Sequence, residues 1–324
     1  MIITRTPLRV SLGGGSTDLP SYYERFGGFI FGVAIRMYFD VFVRILRFDR
    51  RIHFQYSSYE AVDSMGELKH NIGREVLRLV DWGGGVDVTF KSDTPVGTGL
   101  GSSGSCAVGL LNALTVFQQD PRSPQELAEM SFQITQNLGW SDGKQDPYLA
   151  ALGGFTVLRI AEDGQVRIER PSIKPSTVEM FSRRCLLFYT GTRRDSNEVL
   201  KDQNKRKVLE LKHKTKRIGE FILAAFEGGD LDRFGELMHE HWRVKREMSV
   251  LISSRDFDDV YNLARSSGAS GGKLLGAGGG GYFLFYCPTE GSRESVRVSI
   301  SNIGLVEVPL EVDCVGTRVL LNVM

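Results

Sequence analysis

The chain has 324 residues, with 40 Lys and Arg against 39 Asp and Glu, which gives a formal net charge of +1. This length predicts one large domain or two ordinary ones. Because the charges balance, composition gives no reason to expect nucleic acid or an anionic membrane as a partner. A hydrophobic fraction of 41% and a charged fraction of 24% exclude wholesale disorder.

The cysteines and the apolar stretches exclude several further classes. The four cysteines lie far apart and form no CxxC pair, which argues against a zinc site or a disulfide framework and suits a reducing cytoplasm. The N-terminus lacks the basic and apolar regions of a signal peptide. Two uncharged stretches, residues 95–119 and 274–287, have fewer consecutive apolar residues than the ~20 that a bilayer span needs. We therefore expect a soluble, cytoplasmic protein.

The first half of the chain predicts strands, followed by helices. Short apolar runs predict strands over residues 9–12, 29–35, 38–46, 52–56 and 86–91. Helical spacing of apolar residues predicts a helix over 66–82, and the stretch 95–119 predicts a loop that opens another helix. Ser123, followed by Pro124 and Glu126, predicts a third helix start, because serine and glutamate form a capping box and proline suits the first turn.

The second half predicts a hairpin and then mixed elements. They are strands at 155–160 and 166–169 around an Asp163-Gly164 turn, a strand at 186–189, helices at 195–226 and 231–251, and a strand, helix and strand at 282–287, 293–301 and 306–312. Partly segregated strands and helices indicate an α+β fold. A composition boundary near 170–182 predicts domains of residues 1–175 and 176–324. Residues 201–217 carry eight basic and two acidic residues, typical of a solvated helix face, with a phosphate or protein contact as the alternative.

Glycine is the compositional outlier, with 37 residues where about 23 would be usual. The glycines concentrate in a first cluster (residues 13–18), a second cluster (95–104) and a third cluster (276–281). A glycine-rich loop that runs into a helix presents backbone N–H groups at the positive end of the helix dipole, and this geometry binds phosphate. The second cluster therefore predicts a nucleotide-phosphate loop, formed by Gly97, Thr98, Gly99, Leu100, Gly101, Ser102, Ser103 and Gly104.

The alternative to a phosphate loop is a tight loop in which Ser102 or Ser103 caps the helix. If the second cluster does bind phosphate, known motifs exclude several types of loop. No Walker A string occurs, and the protein-kinase strings HRD and DFG are also absent. GxGxxG occurs in the second and third clusters. The first occurrence is followed by a helix and then another helix, not by the second strand of a βαβ unit, and the other leads into a strand. This disfavours a dinucleotide-binding Rossmann site, which stays as the rival enzyme class.

The three clusters together resemble the GHMP kinases, a superfamily named for galactokinase, homoserine kinase, mevalonate kinase and phosphomevalonate kinase. TPLRVSLGGGSTDLP resembles their first motif, PVGTGLGSSGS their PxxxGLGSS phosphate loop and KLLGAGGGGYFLFY their third. The segments GGGSTDLPSYY, GKQDPYLAALGGF and YTGTRRDSNEVL look most like the D-glycero-D-manno-heptose 7-phosphate kinase branch. The resemblance implies an N-terminal domain like ribosomal protein S5 domain 2, a ferredoxin-like C-terminal domain, ATP–Mg on the second cluster and a sugar between the domains.

The resemblance implies that Asp146 and Arg9 are catalytic. Asp146, in GKQDP, matches the position of the catalytic aspartate in many members, and a carboxylate can accept the proton of the acceptor hydroxyl. Arg9 matches a basic residue of the first motif, and a guanidinium nearby would keep Asp146 ionised and stabilise the attacking oxygen. The alternative for Asp146 is a turn residue before a proline, and Arg9 without the resemblance would be read as a surface charge.

The metal site departs from the family pattern. Ser103 matches the serine that contacts Mg²⁺ in related enzymes, with Ser102 beside it. Many relatives add a glutamate eleven residues before the aspartate, but Thr135 holds that position here. The resemblance therefore implies Mg²⁺ held mainly by ATP phosphates, Ser103 and water, which suits an ion that keeps several waters.

The first cluster resembles the element that binds sugar hydroxyls, formed by Gly14, Gly15, Ser16, Thr17 and Asp18. Asp18 could instead, or also, cap the helix that follows. Gly279 and Gly280 of the third cluster would bring backbone against substrate or phosphate, with tight strand packing as the alternative. Lys144, Arg193 and Arg194 are candidate ligands of a substrate phosphate.

These observations predict an ATP- and Mg²⁺-dependent phosphotransferase with an alcohol group as acceptor. The best match for the substrate is D-glycero-D-manno-heptose 7-phosphate, converted to the 1,7-bisphosphate. The alternatives are a fucose- or galactose-type GHMP sugar 1-kinase, a non-catalytic sugar sensor and an NAD-dependent oxidoreductase. The expected partner is a small sugar or sugar phosphate, with no nucleic acid and no membrane, and a homodimer is left open.

Overall fold

The computed structural model describes residues 1–193, 196–203 and 208–323, which form one eight-stranded and one four-stranded β-sheet with helices against both. The strands are β1 (Ile2–Gly13), β2 (Gly28–Ile45), β3 (Ile52–Gln55), β4 (Tyr59–Val62), β5 (Val86–Ser92), β6 (Phe155–Ile160), β7 (Val166–Glu169), β8 (Cys185–Tyr189), β9 (Gly271–Leu274), β10 (Tyr282–Tyr286), β11 (Val306–Val308) and β12 (Arg318–Asn322). The helices are α1 (Pro20–Phe26), α2 (Asn71–Leu79), α3 (Ser102–Phe117), α4 (Pro124–Asn137), α5 (Gln145–Leu152), α6 (Pro175–Arg184), α7 (Ser196–Gln203), α8 (Leu209–Gly228), α9 (Leu231–Arg246), α10 (Arg255–Ser266) and α11 (Glu290–Asn302), with a 3₁₀ turn at Met65–Glu67.

The larger sheet is organised around β2. Its order is β12-β1-β2-β5-β3-β4, and β6 also pairs with β2 and carries β7. The strands predicted at 29–35 and 38–46 are one strand, whose first half pairs with β6 and whose second half pairs with β5. The predicted strand 9–12 is the second half of β1, which pairs with β2 along its length except for register shifts, one of them between Pro7 and Leu8. Proline lacks the N–H that a regular ladder requires, which favours a bulge at this point.

The smaller sheet is antiparallel in the order β11-β8-β10-β9. The boundary predicted at residues 175/176 separates β1–β7 from β8–β11. The chain then returns, because β12 pairs with β1 and Val312 forms a bridge with Ile35. Residues from both sheets and from α8 and α9 form one shared core, in which the rings of Phe31 and Phe226 are 5.2 Å apart. The α+β fold is confirmed.

Several element bounds differ from the predictions. The helix predicted at 66–82 is the short turn Met65–Glu67 followed by α2, because His70 accepts a hydrogen bond from Gly73 N and starts the helix there. The long helix predicted at 195–226 corresponds to α7 and α8, with its start and residues 204–207 outside the described residues. The helix predicted at 231–251 ends at Arg246. Helices α5, α6 and α10 and strands β4, β9 and β12 were not predicted.

The hairpin β6–β7 and the capping box of α4 are confirmed. Glu126 N donates to Ser123 Oγ, and Ser123 N donates to Glu126 Oε2, so the two residues satisfy each other's backbone donors at the helix start. In the part of the chain that the structure describes, no helix combines the length and the apolarity needed to cross a bilayer.

Helix α8 touches the first glycine cluster backbone to backbone. A Cβ added at Gly219 would lie 2.5 Å from Gly14 N and 2.9 Å from Gly13 C. A hydrogen is therefore the only side chain that fits at Gly219 without moving the turn that leads to Ser16 and Asp18. The sequence of an amphipathic helix gives no signal for this constraint, because it depends on what packs against the helix.

We expect Gly219→Ala to lower the free energy of unfolding by about 1–3 kcal/mol, the usual cost of overpacking. Gly228→Ala, at the end of the same helix, meets nothing within 4 Å and should leave stability unchanged or raise it by up to ~1 kcal/mol. Denaturant unfolding of both variants measures the difference. Equal stability of the two variants would show that the contact can relax.

Candidate active site

A cavity of about 830 Å³ lies where both sheets meet the second glycine cluster. Residues of β1, the first and second clusters and α5 line one side, and residues of α9, β9 and the third cluster line the other. A cavity of this size at a domain junction suits a small-molecule site. Residues from distant parts of the chain therefore converge on one space.

Arg9 and Asp146 form an ion pair in this cavity. Arg9 is buried, and its Nε and Nη2 donate to Asp146 Oδ1 at 2.9 and 2.7 Å, while its Nη1 donates to the carbonyl of Gly99 at 2.6 Å. Among the described residues, Asp146 Oδ2 receives no hydrogen bond, and the side chain stays 24% exposed. Asp146 therefore keeps one carboxylate oxygen for a further partner.

The second cluster has a backbone conformation that depends on its glycines. Gly97, Gly99 and Gly101 have φ angles of 82°, 80° and 77°, which only glycine adopts without strain. Helix α3 begins at Ser102, and no side chain caps it, so the alternative in which a serine caps the helix is wrong. The first N–H groups of α3 therefore have no side-chain cap at the start of a helix dipole.

Five of the eight residues predicted in this loop line the cavity: Gly97, Gly99, Gly101, Ser102 and Ser103. The other three build the loop. Thr98 Oγ1 bonds to Thr94 Oγ1 and the Pro95 carbonyl, and Leu100 lies in the shared core. A Cβ on Gly104 would be 2.8 Å from Pro147 N, so this glycine lets α3 approach the start of α5.

The first cluster divides in the same way. Gly15, Ser16 and Asp18 line the cavity, whereas Gly14 and Thr17 do not. A Cβ on Gly14 would lie 1.9 Å from the Phe29 carbonyl oxygen. Thr17 Oγ1 donates to the carbonyls of Gly14 and Phe29 and accepts from Phe29 N. Gly14 and Thr17 therefore fix the turn, and their predicted substrate contact is not what the structure shows.

Asp18 is fully buried at the cavity wall. Its Oδ2 accepts from Gln145 N, the first residue of α5, at 3.0 Å, and Oδ1 has no partner among the described residues. Burial above all raises its pKa from 3.8 to about 6. Asp18 does not cap α1, whose N-cap is Leu19, so that expectation is wrong. Its unpartnered oxygen fits an acceptor for a ligand hydroxyl.

The comparisons with known proteins show the family to which this chain belongs. The description "GHMP kinases N terminal domain" matches residues 64–154, and "GHMP kinases C terminal" matches residues 222–304. The chain belongs to the GHMP kinase family. It is 29% identical to a D-glycero-alpha-D-manno-heptose 7-phosphate kinase of Campylobacter jejuni over 89% of this chain and 90% of that protein, and 27% identical to a mevalonate kinase of Pyrococcus abyssi over 83% and 78%.

Solved structures support the same fold. A D-glycero-D-manno-heptose 1-phosphate kinase from Bacteroides thetaiotaomicron superposes with a TM-score of 0.83 at 23% identity, covering the whole of both chains. A sugar kinase structure from Campylobacter jejuni gives a TM-score of 0.79 at 25% identity over 98% and 97% of the chains. The two-domain GHMP kinase fold and the phosphotransferase class are confirmed, which decides against an oxidoreductase. GHMP kinases use ATP as their phosphate donor.

In this GHMP kinase, Lys144 does not reach the cavity. Its Nζ donates to both carboxylate oxygens of Glu129, at 2.7 and 2.6 Å, and lies over the ring of Phe132. The structure therefore does not bring Lys144, predicted at a substrate phosphate, to the cavity, because its buried ammonium pairs with Glu129. Arg193 is exposed and lines the cavity, and Arg194 lies outside the described residues.

The third cluster contacts the cavity through Gly276 and Ala277. Gly279 N donates to the Ile252 carbonyl at 2.7 Å, and a Cβ on Gly280 would approach Thr192 within 3.1 Å. Gly279 and Gly280 were predicted to contact substrate, and the structure instead shows the alternative, tight backbone packing.

Sequence reasoning missed three basic residues of the C-terminal half. Lys273, His241 and Lys245 are buried and line the cavity. His241 lies in the helix predicted at 231–251, where no motif marks it as a site residue. The lysine at the start of KLLGAGGGGYFLFY was the one available signal, since lysine is rarely buried without a function or a partner.

The end of the cavity near β5 and α2 is apolar and aromatic, with Phe39, Tyr56, His70, Ile72 and Phe90 in its wall. Burial lowers the pKa of His70, which favours the neutral ring. Flat, apolar side chains of this kind suit the stacking of a planar base.

The oxygen donors of the site fit a hard cation. Ser102, Ser103 and Asp146 line the cavity, whereas Thr135 is buried and donates to the Phe132 carbonyl. Among the described residues, no group of three His, Cys, Asp or Glu side chains could hold a metal by itself. This donor set fits Mg²⁺, which takes many of its ligands from phosphates and water.

Asp18→Asn keeps an oxygen for Gln145 N and removes the charge. Because folding raises the Asp18 pKa to about 6, the wild type loses stability as the pH rises from 3.8 to that value. We expect the variant to exceed the wild type in unfolding free energy by up to about 3 kcal/mol at pH 8 and to match it near pH 4. Denaturant unfolding at both pH values measures this. Asp163→Asn, in an exposed turn, is the control, and the same pH dependence there would contradict the assignment.

Proposed function

We propose that this GHMP kinase transfers the γ-phosphate of ATP to the anomeric hydroxyl of D-glycero-D-manno-heptose 7-phosphate and forms the 1,7-bisphosphate. The observation that carries the proposal is the Arg9–Asp146 pair, which lies in one cavity with the N-terminus of α3 and the glycine loop before it. The identity of 29% to a heptose 7-phosphate kinase over 89% of the chain supports the acceptor.

Different residues of the cavity take different roles in the proposed reaction. Asp146 Oδ2 accepts the proton of the acceptor hydroxyl as the oxygen attacks, while both hydrogen bonds from Arg9 hold Oδ1. The same guanidinium supplies positive charge close to the attacking oxygen. Backbone N–H groups at the start of α3 bind phosphate oxygens of the nucleotide. Mg²⁺, when bound, would neutralise phosphate charge, with Ser103 as its protein ligand.

The sugar is placed by the first cluster. Asp18 Oδ1 is buried and unpartnered among the described residues, and Ser16 lines the same wall. A carboxylate can accept hydrogen bonds from two neighbouring hydroxyl groups, which suits a polyol. The aromatic end of the cavity, around Phe90 and Tyr56, is left for the adenine.

The acceptor is tested by ADP release from the wild-type enzyme across a panel of sugars and sugar phosphates. The panel includes heptose 7-phosphates, free heptose, fucose and galactose, because part of an L-fucokinase from Bacteroides fragilis is 25% identical to 91% of this chain. We expect the highest kcat/KM with a heptose 7-phosphate. A preference for fucose or galactose would support the alternative sugar 1-kinase, and sugar binding without ADP release would support a sensor.

Asp146→Asn is expected to lower kcat by ~10²–10⁴, the usual contribution of a general base, and to leave ATP affinity intact. The matched control is Asp256→Asn, since both aspartates lie in the first turn of a helix and Asp256 is exposed outside the cavity. Steady-state ADP release and nucleotide titration measure the two effects. Unchanged turnover in Asp146→Asn would remove this residue from the mechanism.

Ser103→Ala removes the hydroxyl proposed to contact Mg²⁺. We expect the Mg²⁺ concentration for half-maximal activity to rise about tenfold, the effect of one hydrogen-bond-strength interaction with a charged group. Titration of ADP release with Mg²⁺ measures this change. ATP affinity in the presence of a chelator is the control and should not change. An unaltered Mg²⁺ requirement would show that Ser103 is not a ligand.

A further inference from the structure

A buried basic cluster forms the C-terminal side of the cavity. It consists of Lys273 on β9 and of His241 and Lys245, which are one turn apart on α9. All three side chains are at least nine-tenths buried. Basic side chains seldom occupy such positions unless something pairs with them, because burial of an isolated charge is costly.

The contacts of Lys273 leave its charge without an anion. Its Nζ donates to the Leu12 carbonyl at 3.0 Å and lies 3.1 Å from His241 Nδ1. An ammonium has three N–H groups, so one remains after these two contacts. Among the described residues, no carboxylate forms an ion pair with Lys273, and the charge that acts on it is that of Arg9, another cation. Burial, followed by Arg9, lowers the pKa of Lys273 to about 7.

His241 and Lys245 hold Lys273 and the strand end in place. His241 Nδ1 faces the Lys273 ammonium and accepts from it, so the imidazole carries its proton on Nε2 and can donate there. Lys245 Nζ donates to the carbonyls of Leu274 and Gly276, at 2.8 and 2.6 Å. These bonds fix the end of β9 and the start of the third glycine cluster. The cluster is therefore a built, donor-rich wall of the cavity.

We propose that Lys273, supported by His241 and Lys245, binds the phosphate group that the acceptor sugar already carries. The inference rests on the proposed function, since it assigns a residue to the phosphate of that substrate. Lys273 is anchored on Leu12, which directly precedes the first cluster with its sugar-facing Ser16 and Asp18. The nucleotide has a separate phosphate site at the start of α3.

The other candidates for this role are weaker. Lys144 is held by Glu129 outside the cavity. Arg193 is exposed at its position in the cavity wall, where water competes for any phosphate contact. A phosphate bound at Lys273 would be desolvated and would balance the charge of a buried ammonium. Its contact with Lys273 would therefore be stronger than a contact with Arg193.

The test compares phosphorylated and unphosphorylated acceptors in Lys273→Met. We expect the KM for heptose 7-phosphate to rise ~10- to 100-fold, the value of a charge-assisted hydrogen bond expressed as a ratio. The KM for ATP should change little, and the loss with free heptose should be much smaller than the loss with heptose 7-phosphate. Lys273→Arg, which keeps the charge, should recover part of the affinity. Lys216→Met is the matched control, because Lys216 Nζ also donates to two carbonyls, those of Phe26 and Gly27, but does not line the cavity.

Each other outcome decides against the proposal. An equal loss of kcat/KM with free and phosphorylated heptose would show that Lys273 has a structural role. A rise only in the KM for ATP would assign Lys273 to the nucleotide. No change in either KM would place the phosphate elsewhere. If thermal melting shows that Lys273→Met does not fold, the KM values for free heptose and heptose 7-phosphate are compared in His241→Gln instead. A wild type that phosphorylates only unphosphorylated sugars refutes the proposed acceptor, whereas an active wild type with an unaffected Lys273→Met refutes the subsite alone.

Discussion

The ion pair between Arg9 and Asp146 connects the parts of the active site. Arg9 reaches from β1 to the first turn of α5 and to the Gly99 carbonyl in the phosphate loop, using three nitrogen atoms of one planar group. Lysine could not form this pattern, because its ammonium lacks the fixed fork of donors. A pair of this kind contributes little net stability once desolvation is counted, but it fixes the positions of Asp146 and the glycine loop relative to each other.

Close backbone approaches allow this arrangement. Gly104 lets α3 approach the start of α5, and Gly219 lets α8 approach the first cluster. A Cβ on Gly143 would lie 2.1 Å from Asp18 Oδ2, so this glycine makes room for the buried carboxylate. Each glycine removes a side chain where two elements meet at the site. The excess of glycine therefore has a packing cause as well as the phosphate-binding cause that the sequence suggests.

The buried charged forms of Asp18 and Lys273 lower the stability of the folded protein. Burial raises the pKa of Asp18 to about 6 and lowers that of Lys273 to about 7, which shows that each charged form is less favourable here than in water. Such groups persist where a ligand supplies the missing partner. The hydroxyl groups of a sugar would donate hydrogen bonds to Asp18, and a phosphate would pair with Lys273. Binding of the substrate would therefore also compensate the buried charges of these two residues.

Local patterns in the sequence determined the α+β class, the capping box at Ser123, the hairpin β6–β7 and the glycine loop before α3, because each depends on residues close together in the chain. The motif resemblance also indicated that Arg9 and Asp146 act together, and their bonds confirm the contact. Only the tertiary structure decided which polar residues reach the cavity. The sequence suggested that Lys144 was available to a substrate, but Glu129 binds it, whereas Lys273 was not singled out in the sequence and lines the cavity. Which charged group lies next to a side chain depends on elements that are far away in the sequence. A local sequence pattern therefore cannot predict that partner.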